Sequence, residues 1–492
     1  METIESSISH CRQVYESGVT KSLEWRKRAL ESLLRMLKDN QISLCEALEK
    51  DLGRTDHFAS RFYETNSVEL EISYLTKHLK NLSESEPLHV SIVNKPAHAY
   101  IKPEPLGLVL IMSAWNFPVL TLLQPAAGAI AAGNCVVLKP SNIAANTSKC
   151  ISELVSRYFP DKEIICVEGG VNESTKVLEQ KFDKIMYTGG SSVAKIVMGA
   201  AAKNLTPVDL ELGGKNPCIV TGNVETDNQL FTAIRRIVWG KFAVNLGQVC
   251  LSPDYVFVHE AVANEFKLGL RRFITEFFGE NPKMSSSYSR IINEPHMKRL
   301  ESILEGDKKY VYSGGELDHT SKYISPTILD FGKDMKAFSE SFAMRGEIFG
   351  PILPIVTYSG DLSTCIAFIN RHDKPLAMYL FGHEAEGEEI AEKTSSGSVT
   401  INDCIMQKAE LGIPFGGVGM SGSGRYHGRY TFEAFSHYKP VLVKRLRHDL
   451  DARYPPYDDK KKKFFETVHS VMMGEKSAVA LAYVMLKYKI HK

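Results

Sequence analysis

The chain has 492 residues, 43% of them hydrophobic and 24% charged, with a formal net charge of +1. That length exceeds one ordinary core and predicts two or three domains of a soluble globular protein, and the near-zero charge gives no global field toward nucleic acid or an acidic partner. The nine cysteines (Cys11, Cys45, Cys135, Cys150, Cys166, Cys218, Cys250, Cys365 and Cys404) are scattered without a C-x-x-C pair, which excludes a disulfide framework or a cysteine-rich zinc site and fits a reducing, cytoplasmic compartment.

The polar start "METIESSISHCRQVYESG" has no apolar h-region, so no secretory signal is expected. Residues 22–48 carry apolar residues at helical spacing with charges between them and predict surface helices. His89 to Lys102 predicts a hairpin with Asn94, Lys95 and Pro96 at or near its turn. From Pro105 to Val137 no residue is charged, a length that suggests a membrane span. Pro118, Pro125, Asn116, Gln124 and Asn134 interrupt it, however. "LGLVLIM" and "NCVVLKP" read as buried strands, with the helix "VLTLLQPAAGAIAAG" between them. Strand, helix, strand with both strands apolar is a βαβ unit of a parallel sheet.

The alternation then repeats: "KCISELVSRYF" as helix, "EIICVEG" as strand, "STKVLEQ" as helix, "KIMYTGG" as strand. After Leu212 it resumes with "NPCIVTG", "ETDNQLFTAIRRIVWGKF", "DYVFVHE" and "AVANEFKLGLRRFITEFF". Two α/β halves of doubly wound type are expected.

Chemistry-bearing residues sit at the breaks in this pattern. Gly247 and Pro253 flank Cys250 and place it on a turn, where a thiol gains exposure and polarity; a free Cys as readily packs as a small hydrophobe. "MYTGGSSVAK" runs from strand to helix through Gly189 and Gly190, offering backbone N–H groups to a phosphate, but is not a clean G-x-G-x-x-G. "ELGGKN" is not a P-loop, because Asn216 stands where Ser or Thr is needed. Glu211 ends an alternating run and can reach a cleft or be a solvated, salt-bridged Glu. Asn116, on the loop at a strand's carboxyl end, can donate to an oxyanion or stabilise its own turn. Glu347 and Phe349 precede a Gly-Pro break, and "LGIPFGGVGMSGSGRYHG" is a glycine-rich loop, either lining a cleft or a mobile connection. No H-E-x-x-H or EF-hand loop occurs, so no metal is expected.

Taken in order, "SAWNFP", "LKPSN", "YTGGSSVAK", "LELGGKNP", "GQVCLSPDY", "EIFGPILP" and "PFGGVGMSGSG" resemble the aldehyde dehydrogenase superfamily. "AAAKNLTPVDLELGGKNPC", "YSRIINEPHMKRL", "YHGRYTFEAFSH" and "RYPPY" resemble its class 3 branch, which includes fatty aldehyde dehydrogenases. The resemblance implies a Rossmann-like NAD(P)-binding domain (residues 1–87 and 103–211) and an α/β catalytic domain (212–430). It further implies a small β bridging element for homodimerisation (88–102 and 431–457) and a tail (458–492). It implies Cys250 as nucleophile, Asn116 with the Cys250 N–H as oxyanion donors, and Glu211 as the base of thioester hydrolysis. For NAD or NADP it implies the turn Gly189, Gly190, Ser191, Ser192 and Ala194 beside the pyrophosphate and nicotinamide, and Lys139 with Asn142 at the adenine ribose. Glu347 would then bind the nicotinamide ribose, with Phe349 near the ring and Trp115 among the cofactor-binding residues. Asn142 stands where many members have Glu, Ala194 where most have Gly, and Arg345-Gly346 replace a polar-acidic pair.

The resulting expectation is oxidation of hydrophobic aldehydes to acids. Trp115, Phe117, Trp239, Phe242 and Phe415 suit an apolar tunnel, though aromatics are also ordinary core residues. Two other readings are a CoA-acylating dehydrogenase, which has less need of Glu211, and a non-catalytic structural protein, which has no need of all three catalytic positions. In the tail, Lys460 to Lys463 form a basic run, and the uncharged Ser477 to Leu486 is too short to span a bilayer. A peripheral membrane contact or a cover over the substrate entrance is expected there.

Overall fold

The computed structural model describes residues 3–91, 94–224, 227–447 and 449–475, with isolated positions 477, 479, 490 and 491 beyond. The chain forms two compact units, Met1–Leu82 with Pro105–Ser436, and Ser83–Glu104 with His437–Lys492.

The smaller unit carries a three-stranded sheet in which β1 (Glu86–Leu88) pairs antiparallel with β2 (His98–Pro105), followed by the strand Ser436–Val443. The hairpin expected at 89–102 is therefore displaced: its first strand lies at 86–88, and residues 89–91 lie outside any strand. Asn94, Lys95 and Pro96 do form the turn, closed by Ala97 N–H to Asn94 O at 2.9 Å. Near the C-terminus the helix Asp459–Met472 is capped by Asp458, and its basic run is not a uniformly solvated face. Lys461 is buried and donates to Tyr454 O at 2.8 Å, and Phe464 and Val468 pack on Ala452. Ser477 to Leu486 falls outside the described residues apart from Ser477 and Val479. Among the described residues no helix is long and apolar enough to cross a membrane.

The larger unit holds two sheets. In the first, β3 (Leu108–Met112), β4 (Cys135–Lys139), β5 (Ile164–Cys166), β6 (Lys184–Thr188) and β7 (Val208–Glu211) run parallel in the order β7-β6-β3-β4-β5. β3 and β4 read as unbroken hydrophobic runs because both faces are covered. Val109, Ile111, Val136 and Leu138 enter one core with the helix Leu120–Ala132. Leu108, Leu110, Cys135 and Val137 enter a second with Ile8, Cys11, Ala194 and Val197 from the helices Ile4–Glu16 and Ser191–Ala202. The uncharged run 105–137 is thus a buried strand, loop, helix and strand of the first sheet's core.

The second sheet has β8 (Pro217–Val220) and β9 (Tyr255–His259) at its centre. Its antiparallel edge strand is β10 (Val311–Ser313); the short pair β11 (Leu317–Asp318) and β12 (Tyr323–Ile324) stands apart from it. It is completed by β13 (Thr327–Asp330), β14 (Ile352–Tyr358), β15 (Ala377–Phe381) and β16 (Ser398–Ile401), in the order β10-β13-β14-β9-β8-β15-β16. A last strand, β17 (Gly422–Ser423), returns to the first sheet and pairs antiparallel with β7, Gly422 opposite Glu211. Gly422 has φ +141°, and a Cβ there would lie 2.1 Å from Leu210 O, so only glycine admits this close return. The glycine-rich loop is thereby tied to the sheet.

Candidate active site

A cavity of about 840 Å³ is lined by residues following β3, β4, β6 and β7 and by residues preceding β9 and β14. Strand order in the first sheet reverses beside β3, and the chain after β3 and β6 supplies Trp115, Asn116, Gly189 and Gly190 to the cavity. Such a reversal leaves a crevice at the strands' carboxyl ends. The second sheet faces the cavity with its amino ends. Cys250, Asn116, Glu211, Trp115, Lys139, Asn142, Gly189, Gly190, Ser192, Glu347 and Phe349 all line it. Ser191 and Ala194 do not: Ser191 is exposed at the helix start, and Ala194 points into the core of the first sheet with Val197 and Ala201. Of the aromatics, Trp115, Phe117, Trp239 and Phe415 line the cavity, whereas Phe242 is fully buried in the core.

Cys250 is partly exposed, in a turn between a short helical segment, Asn245–Gly247, and β9. Asn245, Leu246 and Gly247 take φ values of 46°, 60° and 70°. A Cβ on Gly247 would meet Gly350 O at 2.6 Å, which explains the glycine. This left-handed run is tolerated by Asn but costly for Leu246, and a buried network holds it. Asn216 Nδ2 donates to Cys250 O at 2.6 Å and Ser252 O at 3.0 Å, and Tyr379 Oη donates to Leu251 O at 2.6 Å. Asn116 Nδ2 donates to Gln248 O at 3.0 Å, leaving its second proton for the cavity. Asn245 Nδ2 donates to Asn116 O at 3.0 Å. Arg54 donates to Asn245 Oδ1 at 3.1 Å, Asn116 O at 2.8 Å and Glu64 Oε1 at 2.7 Å, with both charged side chains buried. Glu64 Oε2 in turn accepts from the N–H groups of Val119 and Leu120 at 2.9 and 3.1 Å, at the start of the helix 120–132. Burial, then the carboxylates Glu347 and Glu211, push the Cys250 thiol up to about 12, against Lys408.

Glu211 ends β7 and is 3% exposed. It is neither solvated nor salt-bridged: neither carboxylate oxygen has a hydrogen-bond partner among the described residues. Burial, with Asp209 adding to it, pushes its carboxyl well above the usual range, while Lys408 opposes the shift.

Glu347 and Phe349 lie on a segment clamped from below. Asp254 accepts from Ile348 N–H at 3.0 Å and pairs with Lys215, which also donates to Ala343 O at 2.8 Å and Gly346 O at 3.0 Å. Arg299 donates to Glu347 O at 3.3 Å and Phe349 O at 3.4 Å. Arg345 instead lies 3.6 Å over the Phe342 ring. Phe349 packs edge-on to Trp115 at 5.4 Å, and Trp115 packs on His296 at 4.9 Å. Burial, then Asp254, raises the Glu347 carboxyl to about 8, against the Gly214 N–H; its Oε1 is buried without a partner. Lys139 donates to Pro140 O at 3.0 Å and Gly169 O at 2.7 Å. The helix Ser191–Ala202 begins with no side-chain cap, leaving its first N–H groups to a ligand. An orphaned carboxylate oxygen and uncapped amides are what a ribose hydroxyl and a pyrophosphate require, so these residues fit a dinucleotide.

Several residues in this architecture escape sequence reasoning. Asn216, singled out only for spoiling a P-loop, staples the Cys250 turn. Arg54 and Glu64 lie far from every motif, and Lys408 reads as one lysine in "IMQKAELG". No group of three or more His, Cys, Asp or Glu side chains able to hold a metal occurs among the described residues.

The aldehyde dehydrogenase family model matches residues 1–441. The chain is 42% identical over 469 residues to aldehyde dehydrogenase family 3 member A2 of Rattus norvegicus, covering 94% of each. It is 42% identical over 459 residues to the dimeric NADP-preferring aldehyde dehydrogenase of the same organism, covering 93% of this chain and 98% of that protein. The structure described as the substrate-bound state of Staphylococcus aureus AldH superposes with a TM-score of 0.90 at 38% identity, covering 95% of this chain and all of the other. A nucleophile turn, an unpartnered carboxylate and a dinucleotide-shaped crevice in one cavity accord with these matches: the chain belongs to the aldehyde dehydrogenase family and is an aldehyde-oxidising enzyme.

Proposed function

We propose that this enzyme oxidises hydrophobic aldehydes to carboxylic acids with NAD or NADP, Cys250 serving as nucleophile, Asn116 as oxyanion donor and Glu211 as base. The observation that carries the reading is the pairing, in one cavity, of a cysteine whose backbone carbonyl is stapled by Asn216 with a buried carboxylate that has no hydrogen-bond partner among the described residues. The Cys250 thiol gives its proton to water, and its sulfur bonds to the aldehyde carbon. The spare Asn116 Nδ2 proton and the Cys250 N–H hold the oxygen that becomes negative. Bound NAD(P) supplies the acceptor for the hydride that this carbon gives up. Glu211 takes a proton from the water that attacks the resulting thioester carbon; the carbon–sulfur bond then breaks, its electron pair returns to the Cys250 sulfur, and the acid leaves.

For the cofactor, Glu347 Oε1 supports contact with the nicotinamide ribose, Trp115 and Phe349 with the ring, and Lys139 with the adenine ribose. Leu70, Trp239, Ile405, Leu411 and Phe415 in the lining favour an apolar substrate chain. A relative named dimeric and NADP-preferring supports NADP use and a homodimer.

Two variants test the assignment. Cys250→Ala loses turnover by at least about a thousandfold while still binding NADH, measured by its fluorescence. Glu211→Gln gives one burst of reduced cofactor and then stalls, read by stopped flow. Near-normal steady-state rates in Cys250→Ala, or no burst and no stall in Glu211→Gln, overturn the respective role.

A further inference from the structure

The cavity holds a cation with no part in the steps above. Lys408 ends a short helical turn, Met406–Lys408, and lines the cavity with Cys250 and Glu211. Its Nζ donates to Gln124 Oε1 at 2.8 Å and lies 4.8 Å from the ring centre of Phe415 and 4.6 Å from that of Tyr426. Gln124 is itself fixed, donating to Glu71 Oε2 at 3.0 Å. Glu71 is fully buried and also accepts from Gly428 N–H at 3.1 Å and Thr431 Oγ1 at 2.6 Å. Among the described residues no carboxylate comes within the 4.0 Å of an ion pair to Lys408. Glu211, in the same lining, has no hydrogen-bond partner on either oxygen among the described residues. An ammonium and an unpartnered carboxyl group therefore line one enclosed space, where a charge acts over several ångströms.

The groups around these centres define what the charge does. Burial pulls the Lys408 ammonium down to about 8, while Glu71, Glu211 and Cys250 favour its charged form. Glu347 and Glu211 oppose a thiolate at Cys250, and Lys408 is the side-chain cation that favours it. Asp209 opposes a carboxylate at Glu211, and Lys408 again favours it. His427 is held neutral by burial, with Lys408 adding to the effect, so it brings no second cation. Tyr426 is held protonated by burial and by Glu211, Cys250 and Glu71.

We propose that Lys408 is a positioning residue of the reaction: its ammonium, aimed by Gln124 and two aromatic rings into the cavity shared with Cys250 and Glu211, favours the ionised forms of both that attack and hydrolysis need. The proposal rests on the roles given to Cys250 and Glu211. It assigns a purpose to a buried lysine that packing alone does not require, since an aliphatic side chain fits between two rings at lower cost.

The test is the rate at which iodoacetamide alkylates Cys250 in the full-length protein, the labelled peptide being identified by mass, together with the pH profile of kcat/KM. Lys408→Gln keeps a donor for Gln124 and removes the charge. Lys408→Met serves if that variant does not fold. Lys408→Arg keeps the charge and stays protonated at alkaline pH. Alkylation at pH 7 is expected to fall about tenfold in the neutral variants, a shift of about one pH unit, with the acid limb of kcat/KM moving upward to match. In Lys408→Arg it stays within about twofold of the natural protein at pH 7 and exceeds it at pH 9. Profiles in the neutral variants that coincide with the natural protein overturn the proposal. So does a change confined to KM for aldehydes bearing a second, anionic group, which makes Lys408 a substrate contact. So does a fall in Lys408→Arg as deep as in the neutral variants. Absence of label on Cys250 in the natural protein instead overturns the nucleophile assignment, a separate failure.

Discussion

The two halves of the site are built in opposite ways. The turn carrying Cys250 is over-determined: Asn216, Tyr379, Asn116, Asn245 and Arg54 all bind its backbone or its neighbours, and a left-handed run is held against its own strain. Glu211, in the same cavity lining, ends a regular strand, but among the described residues its carboxylate oxygens have no hydrogen-bond partner. The difference follows from what each group must do. A nucleophile reacts at one distance and angle, and misplacing it by an ångström costs heavily. A base that serves a water must instead be free to reach it, and its proton affinity must be raised toward neutrality, which isolation and burial accomplish. Rigidity is therefore spent on the sulfur and instability is tolerated at the carboxylate.

Breaking the tied side has the largest expected effect. Arg54→Met leaves Glu64 buried without its cation and removes the donors to Asn245 and to Asn116 O. We expect a loss of about 3–5 kcal/mol in a urea titration, the cost of breaking a buried pair, with turnover falling as Asn116 loosens. A loss below about 1 kcal/mol would mean that the network does not hold the turn.

The untied side is expected to respond with the opposite sign. A carboxyl whose folded pKa lies above its unfolded value binds more protons when folded, so stability is lost as pH rises from the unfolded value toward the folded one. Glu211→Gln removes that loss. It is expected to match the natural protein near pH 4.5 and to exceed it by about 1–3 kcal/mol at pH 8, read as a growing difference in Tm across the pH series. Equal Tm values throughout would show that Glu211 has partners in solution.

The sequence made the first sheet and its turn legible because buried parallel strands and a glycine turn are local signals. "LGLVLIM", "NCVVLKP" and "KIMYTGG" fall on β3, β4 and β6. Cys250 was readable as a turn residue from Gly247 and Pro253, for the same reason. What holds that turn was not readable, since Arg54 acts on Asn245 across 191 positions and on Asn116 across 62. Ala194 shows the limit of motif reading in the other direction: it lies within the right turn, yet helical periodicity directs it into the core. The displaced hairpin in the smaller unit has a plain cause. "HVSIV" alternates like a strand, but β2 takes Glu86–Leu88 as its partner, and local pattern cannot fix register.

The smallest expected effect sharpens the comparison at the cofactor end, where a tied and an untied residue stand side by side. Lys139 is fixed by the carbonyls of Pro140 and Gly169, while Asn142 is exposed at the cavity lining. Burial lowers the Lys139 ammonium, and Cys166, Glu173 and Glu168 support its charge. With the adenine ribose against Lys139, a 2′-phosphate meets that cation, with Glu168 and Glu173 near it and an uncharged Asn142 in the lining, and a further carboxylate at position 142 would add to the repulsion. NADP is therefore expected to be used alongside NAD. Asn142→Glu should lower kcat/KM for NADP relative to NAD by about tenfold, equivalent to ~1.4 kcal/mol for one added like-charge contact in a partly exposed site. The ratio of kcat/KM for the two cofactors, in the natural protein and the variant, decides it. A natural protein that ignores NADP, or a variant whose ratio is unchanged, removes Asn142 as the selector and leaves the choice to Glu168 and Glu173, the acidic groups already placed near Lys139.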